Sequence, residues 1–251
     1  DRAVMLRDLQ ESLILEQEDL VATLVKRRLE GEPLSYITGN REFYALLFEV
    51  TEDVLIPRQE TELLVETVIE FSKRRDWAQL NIVDVGTGSG AIAVAIAVNI
   101  PSARVTAIDI SQKALKVADV NRRLHNVHDR VLLRSGNLLE PLTGEMNIIV
   151  SNPPYIPEGE IEGLQREVLR EPRVALDGGP DGLIVIRDLL RQAKSKISPG
   201  GIVVFEIDPT QARKTSQLSE KMFPDASITV LDDLSGAHRA VVIDTSACTK
   251  G

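Results

Sequence analysis

Cysteine is almost missing from the chain: Cys248 stands alone in a polar C-terminal tail. One cysteine excludes a disulfide framework and a zinc spacing, and it favours a reducing, cytoplasmic compartment. No apolar run is long enough to span a bilayer, and no basic stretch leads into a cleavable apolar segment, so no membrane partner and no export are expected. An excess of positive charge is lacking too. The net charge is −9, and non-specific nucleic-acid binding is dominated by cations meeting phosphates, so no stable nucleic-acid binding is expected. Internal repeats and low-complexity tracts are absent as well.

What remains is a chain of 251 residues, long enough to bury roughly 70% of its unfolded surface without metal or disulfide help. Between Arg2 and Glu30, Leu6, Leu9, Leu13, Leu20, Leu24 and Val25 recur at helical spacing, which predicts two short amphipathic helices. The start at Asp1 without a methionine suggests a truncated end. In "REFYALLFEVTEDVLIP" (41–57), two apolar runs surround Thr51, Glu52 and Asp53, a hairpin-like linker closed by Pro57, and "ETELLVETVIEF" (60–71) returns to helical periodicity.

From Asn81 onward, strand and helix patterns alternate. Strands are predicted at 81–85, 104–109, 131–135, 146–151, 201–207, 227–231 and 239–244, and helices near 89–98, 111–125, 182–197 and 210–222. Ser111 reads as an N-cap and Pro199-Gly200-Gly201 as a stop signal. This order predicts an α/β fold, a mostly parallel sheet with helices on both faces. The last two strands, joined by "DDLSGAH" with no helix, should pair antiparallel at an edge. The expected division is a helical N-terminal segment (1–38), a hairpin linker (39–58), the α/β domain (59–246) and a polar tail (247–251).

"DVGTGSGA" (84–91) joins the first strand of that domain to its first helix. Gly86, Gly88 and Gly90 suit a tight turn lying close to a ligand, beside the unpaired N–H groups of a helix N-terminus. The loop reads as G-x-G-x-G or, with Ala91, as a degenerate dinucleotide fingerprint; the bland reading is a turn that needs glycine only sterically. Asp109 ends the second strand, where a carboxylate can accept from both hydroxyls of a ribose, or merely supply charge to a helix start. Asp109 alone does not separate NAD from S-adenosylmethionine. Asp84 either braces the loop or faces a cofactor amino group.

The segment "IIVSNPPYIP" (148–157) leaves the fourth strand on the same sheet edge. Pro153 and Pro154 lack N–H groups and have restricted φ, so this stretch offers a rigid row of carbonyl acceptors to which Asn152 adds a side-chain carbonyl. Such acceptors suit the two hydrogens of a planar NH2, with Tyr155 stacked on its face. An amide nitrogen is a poor nucleophile, and orientation plus electrostatics in a dry site address that. A sulfonium methyl is the matching electrophile. The bland alternative is a stiff turn leaving a strand.

Together "VLIPRQETELLV", "VDVGTGSGAIA", "VSNPPYIP", "EPRVALDGGPDGL" and "DLSGAHR" resemble the HemK/PrmC family of protein-glutamine N5-methyltransferases, over about Gly31 to Asp244. The resemblance implies a seven-stranded, Rossmann-like class I methyltransferase domain behind a small helical domain and a β-hairpin. It implies S-adenosylmethionine as cofactor and, as partner, the Gly-Gly-Gln loop of peptide chain release factors. Position by position it assigns Gly86, Thr87, Gly88, Ser89 and Gly90 to the cofactor loop, Asp109 to the ribose, and Asn137 and Leu138 to the adenine side. Asn152, Pro153, Pro154 and Tyr155 become the clamp on the substrate amide, with Asn152, Pro153 and Tyr155 catalytic and Asn152 also near the methionine moiety. The chain departs from the family pattern at Asn137 (commonly acidic), Gln59 (usually proline) and Asp208 (usually glycine), and its N-terminal domain is shorter.

His125, His128 and His238 read as solvated turn or helix-end residues, with no third ligand to suggest metal. Met222 and Phe223 read as core. Three rivals to release-factor methylation stand: a ribosomal-protein glutamine methyltransferase, an adenine N6 DNA methyltransferase, and a silent binding module that kept the fold. The DNA enzyme needs a basic face for flipped-out substrate, which the acidic balance does not offer.

Overall fold

The computed structural model describes residues 14–74 and 77–246. Nine strands and seven α-helices are seen among them: α1 (Leu15–Leu29), α2 (Leu34–Thr38), β1 (Asn40–Phe43), β2 (Leu46–Glu49), α3 (Glu62–Ser72), β3 (Leu80–Val85), α4 (Ala91–Asn99), β4 (Ala103–Asp109), α5 (Gln112–Leu124), β5 (Val131–Ser135), β6 (Met146–Ser151), α6 (Ile184–Ala193), β7 (Ile197–Glu206), α7 (Ala212–Met222), β8 (Ser227–Asp232) and β9 (His238–Asp244).

Seven strands form one sheet in the order β5-β4-β3-β6-β7-β9-β8. β3 to β7 run parallel and β9 antiparallel to both β7 and β8, so the expected antiparallel pair sits at one edge with β8 outermost. The central strands are apolar on both faces, as strands sandwiched between two helical layers must be. Alternate residues divide between two cores. Ile82, Ile148, Val150 and Val204 pack toward α3, α4 and the β1–β2 hairpin, and Val83, Ile149, Val203 and Phe205 toward α6 and α7. Full burial of each such side chain contributes about 1.5–3 kcal/mol.

Helix α4, "AIAVAIAVN", has seven buried residues from Ala91 to Ala97 because it lies between neighbouring elements and exposes no face there. Helix α5 follows the amphipathic rule instead, burying Ala114, Leu115, Val117, Ala118 and Asn121, and Ser111 caps it by accepting from the Ala114 N–H at 3.2 Å. Phe223 is buried and Met222 packs against the same core, as read from the sequence.

The structure differs from the sequence reading in three places. The hairpin turns at Tyr44-Ala45, with φ of 50° and 56°, and not around Thr51–Asp53. This register buries both Phe43 and Phe48, and the Tyr44 N–H is held by Glu62 Oε1 at 2.9 Å. Pro199-Gly200-Gly201 does not end a helix: α6 stops at Ala193, and these residues lie inside β7, whose pairing with β6 shifts register between Met146 and Ile148. His125 ends α5 as read but is not merely solvated, because its Nε2 lies 2.8 Å from the Leu47 carbonyl and its ring lies 5.1 Å from that of Phe48, tilted by 46°, linking α5 to the hairpin.

Helix α1 buries no residue and exposes Leu15, Leu20, Val21, Val25 and Leu29. It is joined to the body through its C-terminal end, where Arg28 pairs with Glu167 and the side chains of Arg166 and Arg170 donate to the Glu30 carbonyl at 3.4 and 3.1 Å. The first of the two expected N-terminal helices and the tail with Cys248 lie outside the described residues. Among the described residues, no helix is long and apolar enough to cross a membrane and no acidic, cysteine or histidine cluster could hold a metal ion.

Candidate active site

A cavity of about 560 Å³ opens at the carboxyl ends of β3, β4 and β6, the edge where parallel α/β sheets meet ligands. Gly86 and Gly88 form part of its wall, and Gly86, Gly88 and Gly90 adopt φ of 73°, 55° and 82°, the left-handed region that a side chain disfavours. The loop is pinned because the N–H groups of Gly86 and Thr87 both donate to the Ile108 carbonyl at 2.9 Å.

Asp84 proves to be the loop brace. It is fully buried, and its Oδ2 accepts from the Thr87 hydroxyl at 2.6 Å and the Ala93 N–H at 3.1 Å. Burial pushes its carboxyl up to about 7, against the pull of those two hydrogen bonds.

Asp109 lines the cavity and is only 9% exposed. Its Oδ2 accepts from the Gly88 N–H and its Oδ1 from the Ser111 N–H, both at 2.8 Å. Burial raises its carboxyl above the usual range while these backbone donors oppose the shift. A carboxylate offers about four lone-pair sites, more than these backbone donors fill, so Asp109 can still accept from a ligand hydroxyl. Asn137 and Leu138 form a neighbouring stretch of wall. Leu138 sits at φ 52°, a left-handed conformation unusual for a leucine, and Asn137 Nδ2 donates to Glu140 Oε1 at 3.3 Å.

Asn152 and Pro154 line the cavity opposite Asp109's strand, and a Cβ on Gly86 would meet the Asn152 carbonyl oxygen at 3.9 Å, so the two motifs lie side by side. The exit from β6 is fastened by the Ser151 hydroxyl donating to the Val85 carbonyl at 2.8 Å. The Asn152 Nδ2 donates to Thr61 Oγ1 at 3.1 Å, and the Thr61 hydroxyl donates to Glu206 Oε2 at 2.6 Å. The Tyr155 hydroxyl donates to Glu206 Oε1 at 3.2 Å. Glu206 is 1% exposed, and burial pushes its carboxyl up to about 7. Burial and the adjacent Glu206 also raise the Tyr155 hydroxyl well above the ordinary phenol.

Beyond Tyr155 the chain is held by Gln211, whose Nε2 donates to the Tyr155 carbonyl at 2.8 Å. Gly182 makes that contact possible. It has φ of 71°, and a Cβ there would lie 2.3 Å from the Tyr155 carbonyl oxygen and 2.5 Å from Gln211 Nε2. Asp208 caps the turn that delivers Gln211, accepting from the Thr210 N–H at 2.8 Å. The far wall combines Asp53, Val54 and Leu55 of the linker with Pro172 to Ala175. Glu171 joins the two, accepting from the Ile56 N–H at 3.0 Å and from Arg58.

Of the residues singled out from the sequence, Gly86, Gly88, Asp109, Asn137, Leu138, Asn152 and Pro154 share this cavity. Thr87, Ser89, Gly90, Pro153 and Tyr155 are not in its wall. Thr87 and Ser89 are buried, Thr87 turning its hydroxyl to Asp84, and a Cβ on Gly90 would press on Ala118 of α5 at 3.2 Å. Tyr155 is partly buried, packing against the core on the α6 and α7 side of the sheet. Thr61, Glu206, Gln211 and Glu171 were not foreseen. "EPR" and "FEI" lie in the motifs quoted for the resemblance or beside them, but no local periodicity marks a buried carboxylate as a partner of a residue far away in sequence.

Two families match the chain, Methyltransferase small domain over residues 59–197 and PrmC N-terminal domain over residues 1–39. The chain is 43% identical over 217 residues to the Release factor glutamine methyltransferase of Moorella thermoacetica, spanning 86% of this chain and 76% of that one. It is 36% identical to the protein of the same name from Bacillus anthracis over 96% of this chain and 86% of the other. Among solved structures, a methyltransferase from Pyrococcus furiosus superposes with a TM-score of 0.56 at 15% identity, covering 92% of this chain and 99% of that one, a likeness of fold.

Proposed function

The chain belongs to the release factor glutamine methyltransferase family, and from that membership we propose that it methylates the side-chain amide nitrogen of the Gly-Gly-Gln glutamine in a peptide chain release factor. The protein is an S-adenosylmethionine-dependent methyltransferase of the class I, Rossmann-like fold. The observation that carries the reading is that Gly86, Gly88, Asp109 and Asn152 line one cavity.

The cavity fits that cofactor in volume and in chemistry. About 560 Å³ lies within the range of a small-molecule site. Gly86 and Gly88 present backbone where no side chain intervenes; Asp109 would accept from the ribose hydroxyls, and Asn137 and Leu138 would flank the adenine. When bound, S-adenosylmethionine supplies an electrophilic sulfonium methyl.

The chain's own residues act on the other reactant. Asn152 Oδ1 accepts one N–H of the glutamine amide, and the carbonyl of Pro153, which stands between the wall residues Asn152 and Pro154, is the second acceptor that the family resemblance implies; the pair aligns the nitrogen and enriches its electron density. Pro154 keeps the segment stiff. Tyr155 acts from below, anchoring the clamp through Glu206. Thr87, Ser89 and Gly90 shape the glycine loop and its helix start without forming the wall. A substrate of this kind places the protein in the cytoplasm.

Incubation with S-adenosylmethionine and a release factor, followed by mass spectrometry, tests the reading. The expected result is one methyl group on the Gly-Gly-Gln glutamine. Methylation of a ribosomal protein or of DNA adenine, with no release factor modified, overturns it.

A further inference from the structure

We infer that Thr61 and Glu206 are positioning residues that fix which end of the Asn152 side-chain amide faces the cavity. The inference rests on the reading that Asn152 accepts an N–H from the substrate amide.

An asparagine amide is a donor at one end and an acceptor at the other, and the two ends have nearly the same shape, so only its partners decide which way it points. Here the partner is Thr61 Oγ1, 3.1 Å from Asn152 Nδ2. A hydroxyl has one hydrogen, and Thr61 gives it to Glu206 Oε2 at 2.6 Å. What Thr61 can then offer Asn152 is a lone pair, which only the NH2 end can meet. Asn152 Oδ1 is thereby left for the cavity. If the Thr61 hydrogen were free it could donate to Oδ1, and the NH2 of Asn152 would then face the NH2 of the substrate, two donors with nothing to accept.

The relay is closed to competition from water. Thr61 is 4% and Glu206 1% exposed, and the second oxygen of Glu206 is engaged by the Tyr155 hydroxyl at 3.2 Å. Burial is the largest influence on the Glu206 carboxyl and raises it, while the Thr61 hydroxyl, Arg239 on β9 and the Tyr155 hydroxyl favour the ionised form, which has no hydrogen to give. A buried carboxylate at the end of β7 is unfavourable on its own. In this position it acts by demanding donors from both neighbours, and one of those neighbours orients the residue that meets the substrate.

The test compares Thr61→Val, which keeps shape and removes the hydroxyl, with Thr61→Ser, which keeps the hydroxyl. A release factor serves as substrate, and kcat, KM and calorimetric S-adenosylmethionine affinity are read for each folded variant. The expected result is a fall in kcat of about ten-fold or more for Thr61→Val, in the range that loss of one buried hydrogen bond allows, with cofactor affinity within about three-fold. Thr61→Ser should restore most of that loss. Should Thr61→Val not fold, Thr61→Ala against Thr61→Ser makes the same comparison. A Thr61→Val enzyme with unchanged kcat, or valine and serine variants equally impaired, overturns the relay while leaving the methyltransferase reading intact. A wild-type protein that transfers no methyl group to any release factor overturns both.

Discussion

The Gly88 N–H donates to Asp109 Oδ2 at 2.8 Å, so the glycine loop after β3 and the carboxylate ending β4 hold each other in place across 21 positions of sequence. The same carboxylate holds the Ser111 N–H, one residue before α5 begins. A loop, a strand end and a helix start thus converge on one side chain that also lines the cavity.

Asp109→Ala should weaken S-adenosylmethionine binding by roughly ten- to a hundred-fold, since hydrogen bonds to a charged group contribute about 1.5–3 kcal/mol. Calorimetry checks this, and an unchanged affinity removes Asp109 from the site. In the wild-type protein S-adenosylmethionine should raise the melting temperature and NAD should not, because only a ligand of the native state stabilises it.

Asp84 sets a pH dependence of stability whose sign follows from its burial. Its carboxyl is raised from 3.8 to about 7 in the folded state, so its contribution is fully present below the unfolded value and is lost as pH rises through 7. Asp84→Asn can still accept from Thr87 and Ala93 but does not titrate, and Asp84 Oδ1 has no hydrogen-bond partner for the substitution to break. Between pH 5 and pH 8 the wild type should therefore lose melting temperature relative to Asp84→Asn, by about 2–4 °C for each kcal/mol. Parallel melting curves across that window would show that Asp84 stays ionised.

Gly182→Ala should cost on the order of 2–4 kcal/mol in chemical denaturation, combining a side chain at positive φ with overlap of the Tyr155 carbonyl. Gly144→Ala, where a Cβ meets open space, is the control and should stay within about 0.5 kcal/mol. Turnover of Gly182→Ala should fall as well, because Tyr155 and Gln211 must shift. Equal stability of the two variants would mean that the Asn-Pro-Pro-Tyr segment yields more readily than its packing implies.

The sheet was legible because its central strands are buried on both faces and announce themselves as short apolar runs between helical patterns. The glycine loop and Asn152-Pro153-Pro154 were legible because their chemistry depends on residue types that are conspicuous along the chain. Thr61 and Glu206 were not, since they lie 91 and 54 positions from Asn152 and look like any helix-start threonine and strand-end glutamate. The hairpin turn failed for a related reason. Tyr44 and Ala45 carry no turn signature, and their left-handed backbone follows from the pairing that buries Phe43 and Phe48.

An intact release factor should be methylated far faster than a short Gly-Gly-Gln peptide. Helix α1 exposes five large apolar residues along its length and is joined to the body at its C-terminal end, a surface suited to gripping a protein away from the reacting glutamine. Comparison of kcat/KM on the two substrates decides it. Equal values would mean that α1 has no part in docking.

Asn152→Ala should reduce methyl transfer on the order of a hundred-fold, comparable with the loss of one preorganised electrostatic contact, while S-adenosylmethionine affinity falls much less. The split is expected because the side chain holds the substrate nitrogen, whereas the cofactor keeps the glycine loop and Asp109. Asn152→Asp separates acceptance from everything else the amide does. Aspartate has the same size and accepts at both oxygens, but it has no hydrogen for Thr61 Oγ1, whose own hydrogen is engaged by Glu206. If acceptance toward the substrate is the essential property, Asn152→Asp should retain clearly more activity than Asn152→Ala, yet remain below wild type by the strain of two acceptors facing each other at Thr61. Single-turnover rates with saturating cofactor read this directly. An aspartate variant no better than alanine would mean that the Asn152 NH2, and not its oxygen, carries the reaction.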